Sequence, residues 1–126
     1  MNPSAISVIK VKDTLMVTMP SDPDDSTIAA LQERVLSSME RHAANGLILD
    51  ISAVDTLDSF FARTVTETTQ MVTLMGGRTI IVGMQPTVAI TATQMGLTLS
   101  HIETSLSVDR AMDLARIPRR PGGESR

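Results

Sequence analysis

The chain contains no cysteine, no tryptophan and no tyrosine, and only two phenylalanines among 126 residues. Without cysteine there is no disulfide, no thiolate nucleophile and no cysteine-ligated metal, which fits a reducing compartment. Aromatics at 2% leave no platform on which bases would stack. A formal net charge of −3 gives no basic footprint, so nucleic acid is not an expected partner. No apolar run approaches the roughly 20 residues that cross a bilayer. Met1-Asn2-Pro3-Ser4 lacks the basic and apolar regions of a signal peptide. Together these absences lead to the expectation of a cytoplasmic protein with no membrane partner.

What is present suits a single domain with one modest core. Hydrophobic residues make up 42% of the chain and charged residues 20%, an ordinary globular balance. With so few aromatics the core must come from Ile, Val, Leu, Ala and nine Met. Most of the Met fall at helical core spacings and read as packing.

Ile6, Val8, Ile9 and Val11 are β-branched and closely spaced, as in a strand with one fairly covered face. Lys12-Asp13 is a two-residue break, after which Leu15, Val17 and Met19 alternate with Met16 and Thr18 up to Pro20, so a hairpin is expected. The loop from Ser21 to Ser26 delivers a helix start capped by Asp25 or Ser26, followed by Ile28, Leu31, Val35, Leu36 and Met39. Asn45-Gly46 is expected to close that helix in the left-handed conformation. Leu47 to Ile51 is apolar apart from Asp50, as in a strand covered on both faces. A second helix begins after Asp58 and carries Phe61, Val65, Thr68, Val72 and Met75 on one stripe until Gly76-Gly77. Thr79 to Val82 reads as a further buried strand, and Pro86 opens a third helix bearing Val88, Ile90, Ala92 and Met95. Leu97, Leu99 and Ile102 suggest a short last strand, and Ser107 a cap for a final helix with Val108, Ala111, Met112 and Ala115. The expected fold is α/β, a mixed β-sheet of four to five strands with about four α-helices packed on it. The domain is expected over residues 5–117, with 118–126 a disordered polar tail.

Catalytic machinery is hard to find. His42 and His101 stand far apart, and neither has a neighbour at metal-ligand spacing. No serine sits in a nucleophile elbow, and no glycine-rich loop cradles phosphate or a dinucleotide. Asp22, Asp24 and Asp25 lack the spaced ligands of a calcium loop and read as a solvated turn with a helix cap. Asp50, Asp55 and Asp58 have no His or Lys nearby to make an acid–base pair. The expectation is no enzyme, no metal and no cofactor.

Ser59 is different, because a cap at Asp58 makes it the first residue of a helix that follows a buried strand. Its hydroxyl then lies near free backbone N–H groups and the positive end of the helix dipole, where a phosphate is accommodated. Two readings stand: a good helix-start residue, or a phosphorylation site whose added charge beside Asp55 and Asp58 repels a docked partner. Phe60 lies about 100° around the helix from Phe61, so it is either an exposed contact anchor or a second core residue. Arg63 lies one turn on from Ser59. Asp55, Asp58, Ser59, Phe60 and Arg63 form the candidate partner-binding patch, with Thr87 at the third helix start as a second candidate phosphorylation site.

At these residues the chain resembles the STAS domain, the fold of the anti-sigma factor antagonists, whose phosphorylated Ser or Thr follows an Asp at this helix start. Asp58-Ser59 matches that pair. Small antagonists continue with Ser and Gly, whereas this chain has Phe60-Phe61-Ala62. Ala44-Asn45-Gly46, Leu74-Met75-Gly76-Gly77, the run Gly83 to Ile90 and Met95-Gly96-Leu97 are similar to the stressosome scaffold branch of the family. That resemblance implies a scaffold in a large hetero-oligomeric complex with RsbR-type STAS paralogues; covered strand edges and an apolar helix face add the expectation of a homodimer. It also implies an RsbT-type serine/threonine switch kinase, held until it phosphorylates Ser59, and a cognate phosphatase that resets the system. The competing expectation is a stand-alone STAS module that acts as an anti-anti-sigma factor or senses a nucleotide or other ligand.

Overall fold

The computed structural model describes residues 6–96 and 102–116. Strands β1 (Ser7–Val11) and β2 (Thr14–Thr18) form the hairpin, followed by α1 (Asp25–His42), β3 (Gly46–Asp50), α2 (Ser59–Leu74), β4 (Arg78–Val82), α3 (Pro86–Gln94), β5 (Glu103–Ser105) and α4 (Val108–Arg116). One five-stranded sheet runs in the order β1-β2-β3-β4-β5, with β1 antiparallel to β2 and the remaining pairs parallel. The expected mixed sheet with about four helices is what forms. The suggested strand residues Leu97 and Leu99 and the tail 118–126 lie outside the described residues. The last strand itself starts at Glu103.

Alternation along the parallel strands feeds two apolar layers. Leu15, Val17, Leu49, Ile51 and Ile81 pack with Ile28, Leu31, Val35, Phe61, Val65, Val72 and Val88 from the first three helices. Ile48, Ile80 and Val82 point the other way, against Ala111 of α4 and its neighbours Val108 and Met112. Burying each Leu, Ile or Val contributes about 1.5–3 kcal/mol, so β3 and β4, covered on both sides, are the firmest part of the sheet. Arg78 ties α4 to the sheet: its guanidinium forms a two-pronged pair with Glu103 of β5 and donates to the Leu114 carbonyl in α4 at 2.7 Å. The hydrogen bonds to Glu103 hold the Arg78 pKa above its ordinary value.

Several local expectations need correction. The α1 cap is Asp24, whose carboxylate accepts from the Thr27 N–H at 2.9 Å and from the Ser26 hydroxyl at 3.0 Å; Asp25 and Ser26 already belong to the helix. The left-handed residue closing α1 is Ala43 (φ 50°), not Asn45-Gly46, because Gly46 is already paired in β3. Strand β1 is the sheet edge with the one covered face expected of it: Ile6 is buried and Val8 packs on the core, whereas Ile9 on the other face is 49% exposed. Leu36 is only half-buried. Met75 and Met95 are exposed as the residues that end α2 and α3, and Ile90 is exposed because two positions carry it about 200° round α3 from the buried Val88. Met39, Val88, Ala92 and Ala111 are buried as expected, and Ser107 does cap α4 by accepting from the Arg110 N–H at 3.2 Å.

The α2 sequence is rich in threonine, a poor helix former. Its hydroxyls are turned back onto the helix: Thr66, Thr68 and Thr73 donate to the carbonyls four residues earlier at 2.7–3.0 Å. At the far end Gly76 takes φ 86°, and the Gly77 N–H reaches back to the Val72 carbonyl at 2.8 Å. The helix thus ends where Gly76-Gly77 was expected to stop it, by a left-handed closure.

Candidate functional site

The site lies where β3 and β4 end and the chain turns into α2 and α3. Asp50, the last residue of β3, folds the turn by accepting from the Ser52 N–H at 2.9 Å and the Ser52 hydroxyl at 2.7 Å. Val54 donates to the Ile51 carbonyl at 2.9 Å and is fully buried, so it pins the middle of the loop. Asp58 then caps α2: its backbone is extended and its carboxylate accepts from the Phe61 N–H at 2.8 Å.

Ser59 is therefore the first helical residue, and it is exposed. Asp58 satisfies the third backbone donor of the helix. Helix geometry leaves those of Ser59 and Phe60 without intrahelical partners. The Ser59 hydroxyl has no hydrogen-bond partner among the described residues, so the fold does not depend on it. Asp55 and Asp58 are exposed beside it. Phe61 enters the core while Phe60 is half-buried, leaning on the core edge with the Arg63 guanidinium 5.9 Å from its ring centre. Phe60 is thus neither a free anchor nor a core residue: one face supports the helix and the other carries Arg63. All five patch residues, Asp55, Asp58, Ser59, Phe60 and Arg63, fall on the loop after β3 and the first five residues of α2. Thr87 is exposed at the second position of α3, where Gln85 makes no side-chain cap.

Residues not singled out from the sequence hold this corner together. Gln85 donates its amide to the Ser52 carbonyl at 2.9 Å, bridging the two loops. Gly83 adopts φ 76° with a Cβ position only 2.5 Å from the Ser52 Cβ, so the β4–α3 loop rests directly on the β3–α2 loop. The signal was there in Gly83-Met84-Gln85-Pro86, which the sequence offered as part of the family resemblance without showing that it touches the other loop.

Beneath the site, Leu49, Ile51, Leu57, Phe61, Val65 and Val88 line an apolar void of about 10 Å³. That is room for one water at most. No group of three His, Asp or Glu converges among the described residues, and no described helix is long and apolar enough to cross a membrane.

The profile of the STAS domain matches residues 5–111. The chain belongs to the STAS family. Among curated STAS relatives, the RsbT co-antagonist protein RsbRA of Bacillus subtilis (strain 168) is 23% identical over 92 residues, which is 73% of this chain and 34% of that protein. The chain spans about a third of the length of the curated relatives it matches. Among solved structures, RsbS of Moorella thermoacetica, determined as a serine-to-glutamate variant, is 33% identical. It covers 89% of this chain and 98% of its own, with a TM-score of 0.77. A chain from the molecular architecture of the stressosome is 32% identical, covering 88% and 100%, with a TM-score of 0.73. This STAS domain is therefore similar to the RsbS and RsbR proteins of the stressosome.

Proposed function

We propose that this STAS domain is a phosphorylation-regulated scaffold that holds an RsbT-type serine/threonine kinase and lets it go when Ser59 is phosphorylated. The observation that carries this reading is the state of the Ser59 hydroxyl: exposed, unused by the fold, and set at the start of a helix whose cap is supplied by Asp58. A phosphate there meets the open N–H groups of the first turn and the positive end of the helix dipole, so the fold tolerates it. It also adds about −1.5 to −2 charge beside Asp55 and Asp58. A kinase lying over Phe60 and Arg63 then faces like-charge repulsion and new bulk.

The likeness to RsbS and to RsbRA supports the wider scheme. In it the domain co-assembles with RsbR-type paralogues into a large cytoplasmic complex, pairs with itself as a homodimer, and is reset by a cognate phosphatase. The protein is then kinase substrate and scaffold, not catalyst. The void directly beneath Ser59, at about 10 Å³, is too small for a nucleotide base. Thr87, on the neighbouring helix start, is the second hydroxyl placed for the same chemistry.

The test is a pull-down with the cognate kinase before and after ATP, with mass spectrometry of the retained protein. Wild type is expected to bind and then release as Ser59 is modified. Ser59→Ala should bind and not release, and Ser59→Asp should bind at least tenfold more weakly. Equal retention by all three proteins, or release with Ser59 unmodified, would overturn the proposal.

A further inference from the structure

The other end of the sheet carries a second feature that the phosphorylation scheme leaves unused. Strand β1 is an outer strand, and its hairpin closes through the two residues Lys12 and Asp13, so Val11 and Thr14 form the first bonded pair. Ladder alternation then turns Ser7, Ile9 and Val11 toward β2. The N–H and C=O groups of Val8 and Lys10 point away from the sheet. Val8 and Lys10 lie opposite Val17 and Leu15, hence on the α1 side of the sheet.

Between that edge and α1 runs a groove of about 370 Å³. Lys10, Arg34, Arg41 and His42 line it, with Glu33 the one acid in its wall. Arg34 is fixed there by donating to the Ile6 carbonyl at 2.8 Å, and Arg41 reaches Ser38 at 3.4 Å. In a protein of net charge −3, three permanent cations against one acid make this groove locally positive. The Ser59 patch sits on the loop after β3, two strands away.

We infer that this edge and groove take up an extended acidic segment of a partner protein, which adds as a strand to β1 and places its acidic side chains over Lys10, Arg34 and Arg41. Main-chain bonds to Val8 and Lys10 supply attachment, and the cations supply selectivity. A second copy is the wrong occupant, because two β1 edges side by side would bring Lys10 and Lys12 of both copies to one seam. Polyphosphate or RNA would use the cations and leave the open strand edge unpaired, and would meet Glu33.

The probe is a fluorescein-labelled peptide of five Glu-Val repeats, followed by fluorescence anisotropy on the whole protein. Saturable binding is expected, at least tenfold tighter than for the matching Lys-Val peptide. Arg41→Glu and Lys10→Glu should each weaken it about tenfold, with thermal melts confirming that both variants are folded. Arg41→Gln, which keeps the length and removes the charge, should weaken it by a smaller factor. Two further peptides, N-methylated on the Glu or on the Val positions, separate strand addition from simple charge attraction: one should bind like the parent and the other should fail. Ser59→Asp should leave the affinity unchanged, so this inference and the phosphorylation scheme fail separately. Equal affinity for the acidic and basic peptides, parental binding by both N-methylated forms, or tighter binding of tripolyphosphate or polyuridylate would overturn it.

Discussion

Replacing Gly83 by Ala tests whether the two loops at the Ser59 corner are locked by contact. At this position two costs coincide. The backbone is left-handed (φ 76°), which penalises any Cβ by about 1–2 kcal/mol. The new methyl would also sit 2.5 Å from the Ser52 Cβ and 3.0 Å from its Cα. Neither atom is the free end of a flexible chain, so the loops must part, at about 1–3 kcal/mol for an overpacked contact. Together the substitution costs about 2–5 kcal/mol. For a domain of 126 residues the unfolding entropy is about 0.26 kcal/mol/K, so each kcal/mol moves the midpoint by about 4 °C. A fall of roughly 8–20 °C is expected in a thermal melt followed by circular dichroism. Gly76→Ala is the matched control: it has φ 86° and nothing within 4 Å of its Cβ position, so only the backbone penalty applies and the fall should be about 4–8 °C. If the two variants melted together, the contact between Gly83 and Ser52 would carry no energy and the locked corner would be refuted.

The Asp24 carboxyl titrates below its ordinary value because it accepts the Thr27 backbone N–H. A group depressed in the folded state stabilises above its unfolded pKa and loses that contribution as pH falls through the folded one. Urea melts between pH 5 and pH 2 should therefore fall more steeply for wild type than for Asp24→Asn, which keeps a cap without titrating; parallel curves would contradict the assignment. Thr79 offers the opposite sign, since its hydroxyl is buried in β4 with no hydrogen-bond partner among the described residues. Thr79→Val keeps the shape and removes that unpaired group, so the melting midpoint should rise by about 4 °C, for about 1 kcal/mol; a fall would show that the hydroxyl is paired in solution.

What could be read from the chain was whatever local chemistry decides alone. Asp58 was legible as a cap because a single carboxylate precedes an apolar stripe at helical spacing, and Pro86 because a proline has few other places at a helix start. Around α1 the chain offers Asp22, Asp24, Asp25 and Ser26 in a row, each able to cap. Thr27 and Ile28 are both buried in the fold, and this settles the helix phase on Asp24. Met75 and Met95 were expected at the ends of the two apolar stripes, but periodicity does not say where a helix runs out of neighbours to pack on. The contact between Gly83 and Ser52 joins residues far apart in sequence and has no local signature. Ser59 was legible as a position, whereas the fact that its hydroxyl is left unused needed the Asp58 and Gln85 hydrogen bonds around it.

That unused hydroxyl decides what kind of switch the proposed scheme allows. Had the Ser59 side chain supplied the cap, a phosphate would displace the bond to the helix and strain α2 from its first turn. Because Asp58 supplies the cap and Gln85, Ser52 and Gly83 fix the loops around it, the helix start keeps its shape with or without the added group. Between roughly 0.3 and 1 kcal/mol of dipole attraction on the inside and two negative charges set against Asp55 and Asp58 on the outside, the outside term is the one a partner meets. In the proposed scheme the energy of modification would therefore fall on whatever is docked across Phe60 and Arg63, while the scaffold beneath is sheathed in apolar side chains on both faces of β3 and β4.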